Sequence, residues 1–133
     1  MLKGGILNPK LNYELSQVSH MDEVMICDAG MPVPPGVDRV DLEFIPGQPD
    51  IVTVLKEIVK TLTIQGVYLA EEIRQSSPDL DKQYHEIFRG IAEIKYIPHV
   101  QIKTRSSRAR VAIKTGEFHY HYSSLLLVAG CSY

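Results

Sequence analysis

The chain alternates short apolar runs with longer amphipathic stretches. Between Asp50 and Leu62 the apolar residues Ile51, Val54, Leu55, Ile58, Val59 and Leu62 recur at helical spacing, with Lys56, Glu57 and Lys60 opposite, which predicts an amphipathic helix. A first helix is predicted from about residue 9 to residue 18: Asn8 can cap it, Pro9 suits its first turn, and Leu11, Leu15 and Val18 share a face. A third starts at Pro78 with Ser76 or Ser77 as its cap, and Leu80, Tyr84, Ile87, Phe88 and Ile91 form its buried stripe. The apolar runs at residues 23–27, 67–70, 94–97, 110–114 and 123–129 are too brief for helices and read as strands. The last is almost uniformly apolar, as expected of a strand covered on both faces. Residues 37–44 read as a further edge strand, stopped by Pro46-Gly47-Gln48-Pro49. Residues 29–36 hold three prolines and two glycines, so they continue neither a helix nor a central strand and form an ordered loop. Strands alternating with helices predict an α/β fold, a three-layer sandwich with a mostly parallel central sheet, built as one domain over residues 1–133.

Composition narrows the function classes. Apolar residues make up 44% and charged residues 23%, and no apolar run approaches the ~18 residues a membrane-spanning helix needs. The N-terminal stretch has no long apolar segment or small-residue cleavage site, which predicts a cytoplasmic protein. A net charge of −2 offers no footprint for nucleic acid, and the basic residues Lys103, Arg105, Arg108, Arg110 and Lys114, in a stretch that reads as strand and loop, are expected on a solvated face. Cys27 and Cys131 are too far apart for a metal or redox motif and are expected to be buried as small hydrophobes.

Chemistry in an α/β sheet is expected beyond the carboxyl ends of the strands, and Asp28, Glu71-Glu72 and His99 each follow a strand-like run. His20, in the polar turn Ser19-His20-Met21-Asp22, can give or take a proton near neutrality. Asp28 can orient a hydroxyl group or simply cap the turn that follows it. His119 and His121 would share a side if that stretch were a strand, but no third ligand has suitable spacing, so no metal site is expected. His85 falls on the outer face of its helix and is expected to be solvated. The sequence has no phosphate-binding loop, dinucleotide fingerprint, HExxH or nucleophile elbow, so no cofactor is implied.

Taken together, Gly5-Ile-Leu-Asn8, Ser19-His20-Met-Asp22, Cys27-Asp28-Ala-Gly-Met-Pro-Val-Pro34, Arg39-Val-Asp41-Leu42, Leu69-Ala-Glu-Glu-Ile73, His99 with Lys103 four residues later, and Lys114-Thr-Gly-Glu-Phe118 resemble the D-ribose pyranase family and its relative, the L-fucose mutarotases. The resemblance spans essentially the whole chain. It implies interconversion of the pyranose and furanose forms of a free sugar without a cofactor, in a homo-oligomeric ring that is typically a decamer. It also implies that His20 is the proton donor, that Asp28 and His99 bind sugar with Lys103 beside them, and that the segment Tyr122-Ser123-Ser124 completes a site across a subunit boundary. Here the sequence departs from the family's Tyr-Ala-Asn: Ser124 stands where asparagine is usual, one extra residue precedes Tyr122, and Tyr120 is an alternative for the tyrosine's place. Ser19 likewise replaces a glycine usual before the histidine.

Overall fold

A computed structural model describes all 133 residues. Five helices and six strands follow in the order α1 (Pro9–Ser16), β1 (Glu23–Cys27), β2 (Asp38–Asp41), α2 (Ile51–Thr61), β3 (Ile64–Ala70), α3 (Ile73–Ser76), α4 (Pro78–Phe88), β4 (Glu93–Ile97), α5 (His99–Ser106), β5 (Val111–Lys114) and β6 (Leu125–Ala129). The strands form one sheet in the spatial order β2-β5-β1-β6-β3-β4. β1, β2 and β5 pair in parallel, as do β3 and β4, whereas β6 runs antiparallel to both neighbours, β1 and β3. Five strands therefore point one way, and the single reversed strand sits inside the sheet.

Side-chain alternation along the strands divides the interior into two cores. Val24 and Ile26 of β1 and Leu125 and Leu127 of β6 join a large core with Leu11 and Leu15 of α1, Leu55 and Ile58 of α2, and Leu80, Tyr84 and Phe88 of α4. Their neighbours Met25, Cys27 and Leu126 point to the other face and pack with Met31 and with Ile102 of α5. The expected three layers are thus present. β6 is buried along its whole length, as its unbroken apolar run requires.

The starts of α1 and α2 follow capping chemistry. Asn8 Oδ1 accepts from the Leu11 N–H at 2.9 Å, and Asp50 Oδ1 accepts from the Thr53 N–H at 2.9 Å. The residue-78 helix is different: Ser77 gives no side-chain cap and instead donates its hydroxyl to the His121 carbonyl at 2.8 Å.

Four expectations are corrected. Helix α1 stops at Ser16, because the Gln17 and Val18 amides turn back only three residues, to the carbonyls of Glu14 and Leu15. Ile91 is exposed, since α4 ends at Phe88 and the left-handed Gly90 (φ +71°) carries the chain away from the helix face. Cys131 is exposed because β6 ends two residues before it. Part of the basic stretch is the helix α5 rather than strand or loop; only Ile102 and Ser106 of its eight residues are buried, so it has no continuous apolar stripe to read. No helix is long and apolar enough to cross a membrane.

Leu127 is 1% exposed and packs where the reversed strand meets the large core. Leu127→Ala is expected to lower stability by about 3 kcal/mol through the cavity it leaves, measured as a shift in the urea unfolding curve at fixed protein concentration.

Candidate active site

Because β6 is antiparallel to β1 and β3, the loop entering β6 lies at the same rim of the sheet as the residues leaving the parallel strands. Three segments meet there around a cavity of about 500 Å³, within the usual size range of small-molecule sites. The loop after β1 contributes Asp28, Gly30, Met31 and Pro32; α5 contributes His99 and Lys103; the loop before β6 contributes residues 117–122.

Asp28 is held by donors. Its Oδ1 accepts from the Gly30 N–H at 2.9 Å, and its Oδ2 accepts from the hydroxyls of Ser124 at 2.9 Å and Ser123 at 3.3 Å. His99 begins α5 with its backbone N–H bonded to both oxygens of Glu72, at 2.9 and 3.1 Å. Lys103 lies one helical turn later and so shares its face. The His99 ring stands edge-on to Tyr122, with centroids 5.0 Å apart, and its Nδ1 is buried without a partner in the protein. Partial burial and the nearby Lys103 charge hold the His99 imidazole below its usual pKa of 6.5.

The loop before β6 is organised by a carboxylate. Glu117 is 3% exposed; its Oε1 accepts the N–H groups of Phe118, His119 and Tyr120 at 2.9–3.2 Å, and its Oε2 accepts the Ile51 N–H at the start of α2, at 3.3 Å. Successive amides and a helix N-terminus thus surround one buried negative group. Further anchors are the Ser77 hydroxyl on the His121 carbonyl and the buried Tyr84 hydroxyl on the Ser123 carbonyl at 2.7 Å. Gly116 is required where the loop begins, since a Cβ there would come within 2.3 Å of the Gln48 carbonyl oxygen. Tyr122 is held in the left-handed region (φ 57°), an arrangement worth ~1–2 kcal/mol of strain that the surrounding bonds sustain.

The expected residues divide into three groups. Asp28, His99, Lys103 and Tyr122 come together on the cavity wall, and Tyr120 lines it as well. Ser123 and Ser124 lie beneath, fully buried and bonded to Asp28, and do not line the cavity. His20 is at the other end of the sheet. It precedes β1 whereas Asp28 follows it, a separation on the order of 15 Å along the strand, and its Nε2 lies 3.1 Å from Gln65 Oε1 near the start of β3. The next residue, Met21, bonds through its N–H to the Ala129 carbonyl at the far end of β6. Glu117, Met31 and Pro32 join the cavity wall although no chemical pattern in the sequence points to them. A lone glutamate after Gly116 carries no sign of burial in sequence, because its partners are backbone amides that any residue types could supply. His119 and His121 lie in the loop rather than on a strand, and both line the cavity.

A polar cavity with aromatic edges, at the carboxyl-end rim of a mixed sheet and without a bound cofactor's glycine loop, defines an α/β protein of the small-molecule-binding class. The chain belongs to the RbsD / FucU transport protein family, whose family model matches residues 1–132. It is 41% identical over 132 residues to the D-ribose pyranase of Lactobacillus acidophilus, covering 98% of each chain, and 38% identical to that of Aeromonas salmonicida, covering 100% of each. Its structure is similar to that of Bacillus subtilis RbsD complexed with D-ribose, with a TM-score of 0.94, 34% identity and complete coverage of both chains. The fold is shared with the Streptococcus pneumoniae fucose mutarotase complexed with L-fucose, at TM-score 0.84 and 19% identity over 99% of this chain and 100% of that one.

Two outcomes follow from this geometry. Glu117→Gln removes the charge and sets its NH₂ against either the three loop N–H groups or the Ile51 N–H, so the amides of residues 118–120 are expected to exchange with deuterium at least ~10-fold faster by NMR. The His99 ring is expected to titrate below 6.5 in a ¹⁵N-resolved pH series. Since folding favours its neutral form, His99 contributes stability that is fully present above pH 6.5 and is lost as pH falls through its depressed value.

Proposed function

We propose that this chain is a D-ribose mutarotase, an isomerase that interconverts pyranose and furanose forms by opening and reclosing the sugar ring. The observation that carries the reading is the cavity itself, where Asp28, His99, Lys103, Tyr120 and Tyr122 converge. Full-length similarity to D-ribose pyranases, and to a structure complexed with D-ribose, supports ribose as the sugar.

Opening a cyclic hemiacetal takes a proton from the anomeric hydroxyl and delivers one to the ring oxygen; reclosure through a different hydroxyl reverses both transfers. One group that takes the proton and one that gives it suffice, and such help is typically worth ~10²- to 10⁴-fold in rate. Asp28 accepts from one sugar hydroxyl, Lys103 donates to another, and the His99 ring lines the wall beside them. The tyrosine edges suit the apolar face of a sugar ring.

His20 moves the proton in this reading, taking it from the anomeric hydroxyl and giving it to the ring oxygen, and it serves the cavity of a neighbouring copy. Within its own chain the length of β1 separates it from Asp28, whereas its turn projects from the opposite rim, with Met21 60% exposed beside it. The active unit is then a homo-oligomer in which one protomer's amino-end rim meets its neighbour's cavity. Its expected location is the cytoplasm.

The test is saturation-transfer NMR on D-ribose. Wild-type protein is expected to accelerate exchange between pyranose and furanose signals, and His20→Ala and Asp28→Ala each to lose at least ~100-fold of that acceleration. Mixing the two inactive variants after dissociation and reassembly is expected to restore activity, since some sites then receive His20 from one variant and Asp28 from the other. Acceleration by His20→Ala equal to wild type would remove His20 from the mechanism, and failure of the mixture to recover would refute the shared site.

A further inference from the structure

We infer that Ser124, supported by Ser123, is a positioning residue that holds the Asp28 carboxylate in one orientation, leaving a single acceptor site to face the sugar. This rests on the mutarotase reading of the cavity. The two serines are 0% exposed and absent from the cavity wall, so neither hydroxyl can meet a ligand while the loop keeps this shape.

The hydrogen-bond account is specific. Ser124 Oγ accepts from the Asp28 backbone N–H at 3.2 Å and donates to Asp28 Oδ2 at 2.9 Å, so one hydroxyl grips both the main chain and the side chain of the same residue. Ser123 Oγ donates to the same Oδ2 at 3.3 Å. A carboxylate oxygen has two lone-pair sites, and both sites of Oδ2 are thereby occupied. Oδ1 takes the Gly30 N–H at 2.9 Å and keeps one site free. With Oδ2 fixed from below, rotation of the carboxylate is blocked and the remaining Oδ1 lone pair has one direction. Asp28 therefore presents one oriented acceptor, able to take one sugar hydroxyl.

The arrangement is itself held in place. The Tyr84 hydroxyl fixes the Ser123 carbonyl from within the large core, and β6 begins immediately after Ser124, paired at Leu125 with Ile26 of β1. The serines are thus set by the strand pairing that precedes Asp28, which fixes the distance from their hydroxyls to the carboxylate. Selection of a sugar hydroxyl by Asp28 is in this sense transmitted from the sheet.

A double-mutant cycle tests the inference, using Ser124→Ala, Asp28→Asn and the double variant. D-Ribose affinity is measured by calorimetry and ring exchange by NMR, with the thermal midpoint recorded to confirm folding. Ser124→Ala is expected to weaken ribose binding up to about 10-fold, because the freed carboxylate must then be ordered on binding. In the Asp28→Asn background the same change is expected to cost no more than about 2-fold, because the charged acceptor it orients is already gone. Ser124→Thr, which keeps the hydroxyl, is expected to recover most of the loss. Equal losses from Ser124→Ala in both backgrounds would overturn the inference and make Ser124 an independent contributor to binding. Loss of affinity by Ser124→Thr equal to that of Ser124→Ala would overturn it as well, tracing the effect to packing. Should wild-type protein bind no ribose, the mutarotase reading fails and this inference falls with it, an outcome distinct from an additive cycle in a protein that binds.

Discussion

The antiparallel pairing of β6 with both β1 and β3 is the constraint on which the site depends. A parallel strand in that position would deliver the chain to the opposite rim, and residues 117–124 would sit far from Asp28. Reversal places the polar segment entering β6 against the residue leaving β1. Closure of the cavity then requires only short connections. The cost of an internal strand running against its neighbours is small, because antiparallel ladders are at least as stable per residue as parallel ones. Burial of all five residues of β6 on both faces secures the register.

The loop that β6 delivers has no regular structure, yet it is not loose. An irregular segment among buried atoms must find partners for its N–H and C=O groups. Here Glu117 satisfies three consecutive amides, Ser77 and Tyr84 satisfy two carbonyls, and the serines tie the segment to Asp28. Each anchor comes from a different element, α2 sharing Glu117, α4 providing Tyr84 and the α3–α4 junction providing Ser77. The helices on the large-core side therefore shape a cavity that opens at the rim without lining it themselves. Order built into the loop by its own hydrogen bonds reduces the entropy that ligand binding must offset.

How far the sequence reveals this follows from what each residue depends on. α2 is legible because its apolar positions repeat at helical spacing, and β6 because its apolar run is unbroken. Asp28 and His99 are legible because each follows a strand, whereas Lys103 is marked only by its spacing from His99 in the family pattern; the helix α5, which supplies the face the two share, escapes notice for want of a buried stripe. The direction of β6 is not encoded in hydrophobicity at all, since a strand covered on both faces looks alike in either sense. The roles of Glu117 and the serine pair depend on partners far away in sequence, 66 residues for Glu117 with Ile51 and 96 for Ser124 with Asp28. The place of His20 on the opposite rim was implicit in its lying before β1, but only the strand's length made the separation concrete.

The two cysteines differ in a way that bears on how the molecule can be observed. Cys27 is fully buried immediately before Asp28, and burial, reinforced by the Asp28 charge, pushes its thiol up to about 12, so it offers no thiolate to reagents near neutrality. Cys131 is exposed just beyond β6, next to Gly130, whose N–H bonds the Thr63 carbonyl at the rim that carries His20. The native chain thus has one addressable thiol, away from its own cavity. A fluorophore or spin label attached there reports on the His20 rim with no residue replaced.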